Sequence, residues 1–230
     1  MSPQDKVSRR EFLTKTSLAA STAVAGAATG QVGAQEAEEY VQSDYSVRAK
    51  ALVAVLTKKN LINPAEIDEV IEFYETKVGP HIGARLVARS WVDPEFRERL
   101  LSDANAAATE LGIERRRDLA AVANTPQVHN LVVCTLCSCY PWAILGLPPT
   151  WYKDAPYRAR AVIDPRGVLK EFGTELDEGV EVRVWDSTAE VRYVVIPERP
   201  QGTDGMTDGQ LQDLVTRDSM IGVEKLKSPV

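Results

Sequence analysis

The sequence is poor in the residues that most often bind metals or cross-link a fold. It contains three cysteines and two histidines among 230 residues, and its net charge is -6. That charge argues against a nucleic-acid partner, because binding to phosphates needs a basic face. No apolar run beyond the first forty positions is long enough to cross a bilayer, so no membrane partner is expected.

The overall composition is that of an ordinary globular protein, with 44% hydrophobic and 26% charged residues. The length allows one domain, or one domain with an arm, once any N-terminal signal is set aside. All three cysteines fall between positions 134 and 139. An odd number in one cluster makes a poor disulfide framework and favours a shared metal or redox chemistry.

Residues 1–34 have the pattern of an export signal. Ser8–Leu13 matches the twin-arginine pattern, and an alanine-rich apolar stretch follows from Thr16 to Gly30. Val32-Gly33-Ala34 has the small-residue spacing of a signal peptidase site, with Ala25-Gly26-Ala27 as an alternative. This order of charge, apolar stretch and cleavage site predicts a periplasmic protein, with a cytoplasmic location as the alternative.

Helical spacing dominates residues 35–112, and strand patterns follow. Caps and apolar stripes predict helices over Val47–Thr57, from Pro64 onward, over Ile82–Ser90 and from Pro94 to Leu111. Apolar runs then predict strands over Leu119–Ala123, Leu131–Val133, Ala159–Ile163, Val180–Trp185 and Val191–Ile196, before a short helix at Asp208–Val215. The turn signal at Asp186-Ser187 predicts that the last two strands form a hairpin.

This order of elements predicts an α+β fold. A helical N-terminal part at 35–112 is followed by a layered α-β-β-α domain at 113–230, which carries the metal-binding loop and the catalytic site.

The strongest chemical signal is the run Cys-Thr-Leu-Cys-Ser-Cys at residues 134–139, here named the claw. The thiolates of Cys134, Cys137 and Cys139 can bind one ion only if the backbone coils tightly around it. Such a coil also brings the peptide nitrogens of Ser138 and Cys139 to the ion. Five ligands in a square pyramid result, and the sixth position stays open.

A low-spin trivalent ion suits this donor set better than zinc does. Zinc prefers four tetrahedral ligands and does not readily displace protons from backbone amides. Soft thiolates and amidates suit trivalent cobalt or iron. His129 is available as a zinc ligand, but we assign it to the surface or the core. Because divalent cobalt binds more weakly than copper or zinc, a cobalt-delivery or activator protein is also expected.

The segment from Val133 to Trp142 resembles the metal motif of nitrile hydratase α subunits, and the similarity runs from about Arg48 to Val223. Thr135 resembles the cobalt branch, because the iron branch usually has serine there. The resemblance implies hydration of a small nitrile to the amide at one Co(III) per chain, with Fe(III) as the alternative. Further stretches similar to the family are Lys77–Pro80, Ala88–Trp91, Gly146–Pro149, Val182–Asp186 and Pro197–Pro200.

The resemblance also implies how the claw is matured and completed. Cys137 would become a sulfinic acid and Cys139 a sulfenic acid, while Cys134 stays a thiolate. The ion and its anionic ligands then carry net negative charge, which arginines of a β subunit compensate in the family. We therefore expect an αβ or α2β2 assembly that is active only with that subunit.

Several residues are candidates for chemistry beyond binding the ion. The Cys139 sulfenate oxygen attacks the nitrile carbon or acts as a base toward water. The Ser138 and Thr135 hydroxyls either hydrogen-bond the oxidised sulfurs or cap the turn. Candidates for the pocket or for the surroundings of the metal are Tyr140, Trp142, Arg115, Glu190 and Arg192.

Arg115 marks a departure from the family, which commonly has Gln-Gly-Glu where this chain has Arg115–Arg117. It either supplies a cation to the oxidised claw or points to solvent. The export signal is a second departure, because the family is mostly cytoplasmic.

Three other interpretations stay open on the sequence alone. The cobalt subunit of a thiocyanate hydrolase shares the claw, although the Cys-Tyr-Pro-Trp continuation favours the nitrile enzyme. A non-catalytic protein would store or sense divalent metal with unmodified cysteines. A plain disulfide would leave one cysteine free.

Overall fold

The computed structural model describes residues 44–113, 117–137 and 139–229. The predicted signal segment 1–34 therefore lies outside the described residues. So do Arg115 and Ser138. Among the helices that are described, none has both the length and the apolar character needed to cross a membrane.

The first part of the described chain is helical, as caps and apolar stripes predict. The Asn63 side chain accepts a hydrogen bond from the Ala65 N–H and so caps the second helix, with Pro64 in its first turn. The helix predicted from Pro94 to Leu111 is in fact two helices, because Asp103 ends the first and caps the second. The elements are α1 (Asp44–Lys58), α2 (Pro64–Phe73), a π-helical turn (Tyr74–Val78), α3 (His81–Val92), α4 (Pro94–Ser102) and α5 (Ala104–Glu110).

The second part combines four strands with short helices. The strands are β1 (Asp118–Ala123), β2 (Val128–Val133), β3 (Glu181–Asp186) and β4 (Val191–Ile196). The helices are α6 (Trp142–Leu145), α7 (Thr150–Lys153), α8 (Ala155–Ile163), α9 (Pro165–Glu171), α10 (Asp208–Leu214) and α11 (Arg217–Ile221). Helices followed by this mixture confirm the α+β fold class. The boundary proposed at 112/113 stays a prediction.

Two strand predictions are wrong. Ala159–Ile163 is the second half of α8, in which the buried Tyr157 and Ala161 lie four residues apart on one helical face. The hairpin of β3 and β4 does not form, because β3 pairs in parallel with β2 and β4 pairs in parallel with β1. Alternation of apolar residues identifies strands but carries no information on which strands pair.

The core lies where the two strand pairs meet the surrounding helices. β2 contacts both β1 and β4, which joins the two pairs, and Leu131, Val133 and Ile196 are fully buried there. An aromatic cluster fills the space between α7, α8 and the end of α9. Its rings meet edge to face, with the centroids of Trp151 and Tyr157 4.8 Å apart.

The helices α1 and α2 contribute little to this core. No residue of α2 is buried, and the apolar side chains of both helices face outward. Large apolar side chains that are at least 40% exposed on these helices and their connection are Val47, Leu52, Val53, Val55, Leu61, Ile67, Val70, Ile71 and Phe73. Exposed apolar area of this extent is typical of a surface that contacts another protein.

A close backbone approach ties the π-helical turn to the segment that follows the claw. A Cβ placed on Gly79 would lie 2.2 Å from the Leu145 carbonyl oxygen and 2.3 Å from the Gly146 nitrogen. Gly146 itself has a φ of +70°, which a residue with a side chain rarely adopts. The two glycines are therefore required where these segments meet.

Gly79→Ala is expected to lower the free energy of unfolding by about 2 kcal/mol or more, because backbone atoms must move apart to admit the methyl group. Denaturant unfolding followed by circular dichroism measures the change. Gly209→Ala is the control: it lies in α10, has open space around its Cα, and should be neutral or slightly stabilising. Equal stability of the two variants would contradict the packing described.

Candidate metal centre

The claw begins where β2 ends. Cys134 directly follows Val133, and the parallel register places Val133 opposite Asp186, the last residue of β3. The two strands therefore end side by side, and Asp186 reaches the start of the claw. Its carboxylate accepts hydrogen bonds from the Thr135 backbone N–H at 2.9 Å and from the Thr135 hydroxyl at 2.5 Å.

The three cysteine sulfurs converge on one point. The Sγ atoms of Cys134 and Cys137 are 3.4 Å apart, those of Cys137 and Cys139 are 3.2 Å apart, and all three lie within 4.8 Å of one another. Cys134 and Cys139 are buried, whereas Cys137 is exposed. None of the three forms a disulfide, so the structure does not support that interpretation.

Two of the three sulfur–sulfur separations fit an ion whose ligands lie at right angles. With metal–sulfur bonds of about 2.3 Å, tetrahedral ligands lie about 3.8 Å apart and ligands at right angles about 3.3 Å apart. The observed separations of 3.4 and 3.2 Å match the second arrangement. Cys134, Cys137 and Cys139 are therefore positioned to hold one metal ion.

His129 does not complete a zinc site. It lies buried on β2, and its two ring nitrogens contact the Asn124 side-chain nitrogen at 3.4 Å and the Gly222 carbonyl oxygen at 2.7 Å. Burial lowers the pKa of the imidazole, which favours its neutral form. Of the two placements expected for His129, the surface or the core, the structure has the core.

The electrostatic environment of Cys139 disfavours a free thiolate. Burial, together with hydrogen bonds with Cys137 and Cys134, raises the pKa of the Cys139 thiol to about 12, although the Arg192 cation acts in the opposite direction. A bound cation reverses this balance, because a coordinating thiol loses its proton. The surroundings of Cys139 therefore favour its thiolate form only when a cation is bound at the claw.

Two further side chains donate hydrogen bonds to backbone carbonyl oxygens of the claw. The Tyr152 hydroxyl donates to the Cys139 carbonyl oxygen at 2.9 Å, and Arg158 Nη1 donates to the Thr135 carbonyl oxygen at 3.2 Å. Sequence analysis did not identify Tyr152, Arg158 or Asp186 as site residues. Asp186 was interpreted as a turn residue and as the end of a stretch similar to the family, and the parallel pairing of β2 with β3 places it here.

Three of the residues predicted for the pocket line one cavity. Tyr140, Trp142 and Arg192 all face a cavity of about 780 Å³. The Trp142 ring meets the Tyr74 ring edge to face, with centroids 5.7 Å apart, and Lys153 Nζ lies 5.7 Å from its centroid. Among the described residues, Arg192 Nη1 is buried without a hydrogen-bond partner.

The remaining predicted residues are placed differently. Glu190 is exposed, and its carboxylate accepts a hydrogen bond from the Thr188 hydroxyl within the same turn. The Thr135 hydroxyl is directed to Asp186. The predicted ligand Ser138 and the predicted pocket residue Arg115 lie outside the described residues, so their roles stay predictions.

Comparison with known proteins places this site in a family. The model of the nitrile hydratase alpha chain matches residues 43–224. The chain is 55% identical over 188 residues to the low-molecular weight cobalt-containing nitrile hydratase subunit alpha of Rhodococcus rhodochrous, a match that spans 81% of this chain and 91% of that protein. It is 41% identical over 194 residues to the thiocyanate hydrolase subunit gamma of Thiobacillus thioparus, which spans 79% of each.

A solved structure has the same fold. A double mutant of the Fe-type nitrile hydratase from Comamonas testosteroni Ni1 superimposes with a TM-score of 0.72 at 40% identity, covering 80% of this chain and 91% of that chain. Fold and cysteine cluster thus define an α+β protein with a metal-binding loop at the end of a parallel strand pair. The chain belongs to the nitrile hydratase α-chain family, which confirms the resemblance seen in the sequence.

Asp186→Ala removes the acceptor shared by the Thr135 N–H and hydroxyl. We expect a loss of metal affinity of about 10- to 100-fold, the usual effect of deleting a group that orients a ligand loop. Metal content per purified chain, measured after dialysis against a chelator, reports the loss. Glu181→Ala is the control, because this exposed carboxylate lies on the same strand and pairs only with Arg183 in the described structure. Equal metal retention in both variants would show that Asp186 does not position the claw.

Proposed function

We propose that the chain is the metal-bearing α subunit of a cobalt nitrile hydratase, which adds water to a small nitrile and yields the amide. The observation that carries the proposal is the convergence of three cysteine sulfurs at the end of β2. Relatives that share about half of their residues with this chain are named as cobalt-containing nitrile hydratases, which supports cobalt as the ion and nitrile hydration as the reaction at this cluster.

The proposed ligands are Cys134, Cys137 and Cys139 with the backbone amides of Ser138 and Cys139. A trivalent cobalt ion held there supplies Lewis acidity toward a nitrile nitrogen or a water molecule. The Fe-type enzyme among the solved structures keeps Fe(III) as the alternative.

Oxidation of two ligands by dioxygen completes the proposed site. Cys137 is exposed, which supports its conversion to a sulfinic acid, and Cys139 would stop at the sulfenic acid. The sulfenate oxygen of Cys139 then attacks the nitrile carbon or takes a proton from water. Arg192 places a cation beside Cys139 and has a buried donor without an acceptor, which supports a role in stabilising an anionic sulfur group.

A β subunit is the proposed partner. Leu136, at the tip of the claw, is 89% exposed beside the exposed Cys137, and the apolar faces of α1 and α2 are also uncovered. A second subunit over these surfaces would exclude water from the claw and bring cations to its negative charge. We propose an αβ or α2β2 assembly, active only when complete, and a separate protein that delivers cobalt.

Hydrolysis of thiocyanate is the second candidate function. It is favoured by one observation, the 41% identity to a thiocyanate hydrolase subunit gamma across 79% of both chains. Thiocyanate contains the same carbon–nitrogen triple bond, and its hydration proceeds to carbonyl sulfide and ammonia. Product analysis separates the two functions.

We further propose export by the twin-arginine route, based on Ser8–Leu13 and the small-residue site at Val32–Ala34. That route carries folded proteins, so the metal would be inserted before export.

Co-produced with its β partner in medium that contains cobalt, the chain is expected to hold about one cobalt ion. Its claw peptide should carry two oxygens on Cys137 and one on Cys139, because metal-bound thiolates are electron-rich. Metal analysis and peptide mass spectrometry under non-reducing conditions measure both, while amide release from nitriles is assayed in parallel. Cys137→Ala should lose the ion, the oxygens and the activity together.

Other outcomes of that experiment identify the competing functions. Three unmodified thiols in metal-loaded protein would indicate metal storage or sensing. A loss of two hydrogens would indicate a disulfide. Carbonyl sulfide and ammonia from thiocyanate, without amide from nitriles, would identify the thiocyanate enzyme.

Replacing Arg9 and Arg10 by lysine is expected to keep the chain in the cytoplasm, because the arginine pair is the recognised feature of the signal. Cell fractionation and immunoblotting show its location. Arg48→Lys, beyond the leader, is the control and should leave export unchanged. Cytoplasmic wild-type protein would refute the export proposal.

A further inference from the structure

The cavity beside the claw has a cationic wall. Arg85 on α3, Arg117 before β1 and Arg192 on β4 all line it, and none of its described lining residues is Asp or Glu. The whole chain carries a net charge of -6. Three positive charges therefore line one cavity of a chain that is acidic overall.

Within residues 44–113, 117–137 and 139–229, none of these three arginines forms an ion pair with a carboxylate. The ion pairs found among the described residues involve other arginines. Arg192 Nη1 is buried without an acceptor in the described part of the chain. Arg85 donates to the Leu111 carbonyl oxygen at 3.2 Å, which leaves its positive charge uncompensated. Arg117 is exposed.

The rest of the cavity is apolar and adjoins the claw. Ile82, Ile113, Leu119 and Trp142 contribute hydrocarbon surface, and Tyr140 connects this wall to Cys139 directly along the chain. Pro141 also lines the cavity, so the two residues that directly follow Cys139 along the chain both belong to its wall. A cavity of about 780 Å³ has room for a substrate with both an apolar body and a charged group.

We propose that this cavity selects substrates that carry a negative charge, with the arginines binding the anionic group and the apolar surface binding the hydrocarbon. The inference rests on the proposed function and names its substrate class. Arginine suits this role, because its planar donors match a carboxylate and its charge attracts anions from a distance. A nitrile that bears a carboxylate and the thiocyanate ion are two sources of this chemistry.

The first test compares two substrates that differ in charge and hardly in shape. The cobalt-loaded complex with its β subunit is expected to hydrate 4-cyanobenzoate with a kcat/KM about tenfold or more above that of 4-cyanobenzamide, the scale of one hydrogen bond to a charged group. Arg117→Gln should lower this ratio about tenfold, Arg117→Lys should restore most of it, and raising the salt concentration should reduce it in the wild type. Lys227→Gln, an exposed charge outside the cavity lining, should leave the ratio unchanged.

The second test does not depend on turnover. Calorimetric titration of the same complex with benzoate and benzamide is expected to show tighter binding of benzoate, with the difference reduced in Arg117→Gln and kept in Lys227→Gln. Equal binding of both, or hydration of both nitriles at equal rates, would overturn the proposal while leaving nitrile hydration intact. Preferential benzoate binding without any nitrile hydration would keep the anionic class and reject the proposed reaction. In that case, turnover of thiocyanate would show that the anionic substrate is thiocyanate and not a nitrile that bears a carboxylate.

Discussion

The structure depends on one constraint, the convergence of three sulfur atoms within a six-residue loop. Polar side chains along the loop hold it in this shape. Asp186 binds the backbone and hydroxyl of Thr135 at its start, and Tyr152 binds the carbonyl of Cys139 at its end. These contacts hold both ends of a loop in which the three sulfurs lie within 4.8 Å of one another.

The parallel strand pairs explain why these groups meet. β2 ends just before Cys134 and β3 ends at Asp186, so both residues lie at the same end of this strand pair. The ring of Tyr152 packs within the buried aromatic cluster. β4, paired with β1, brings Arg192 beside Cys139 and into the cavity wall. The fold thus places the Arg192 cation near the end of the claw, while Leu136 and Cys137 are exposed on its other side.

Local chemistry accounts for the features that the sequence predicts correctly. Asn63 followed by Pro64 identifies a helix start through capping alone, and three clustered cysteines identify a metal site by composition. Predictions that need tertiary information fail. Ala159–Ile163 is apolar enough for a strand, yet Tyr157 and Ala161 make it one face of a helix. Strand pairing is likewise set by packing, and for this reason Asp186 was not predicted to contact the claw. Arg158 was not predicted either, because it lies 23 residues from Thr135 in the sequence and only the fold brings the two together.

The central claim is that three converging sulfurs, completed by backbone nitrogens, enclose one trivalent ion. X-ray absorption spectroscopy at the cobalt edge of the purified assembly tests it most directly. The account predicts three sulfur neighbours at about 2.2–2.3 Å, with nitrogen or oxygen neighbours that bring the coordination to five or six, and an edge energy typical of Co(III). A four-coordinate tetrahedral spectrum, or an edge typical of divalent metal in the active protein, would contradict it.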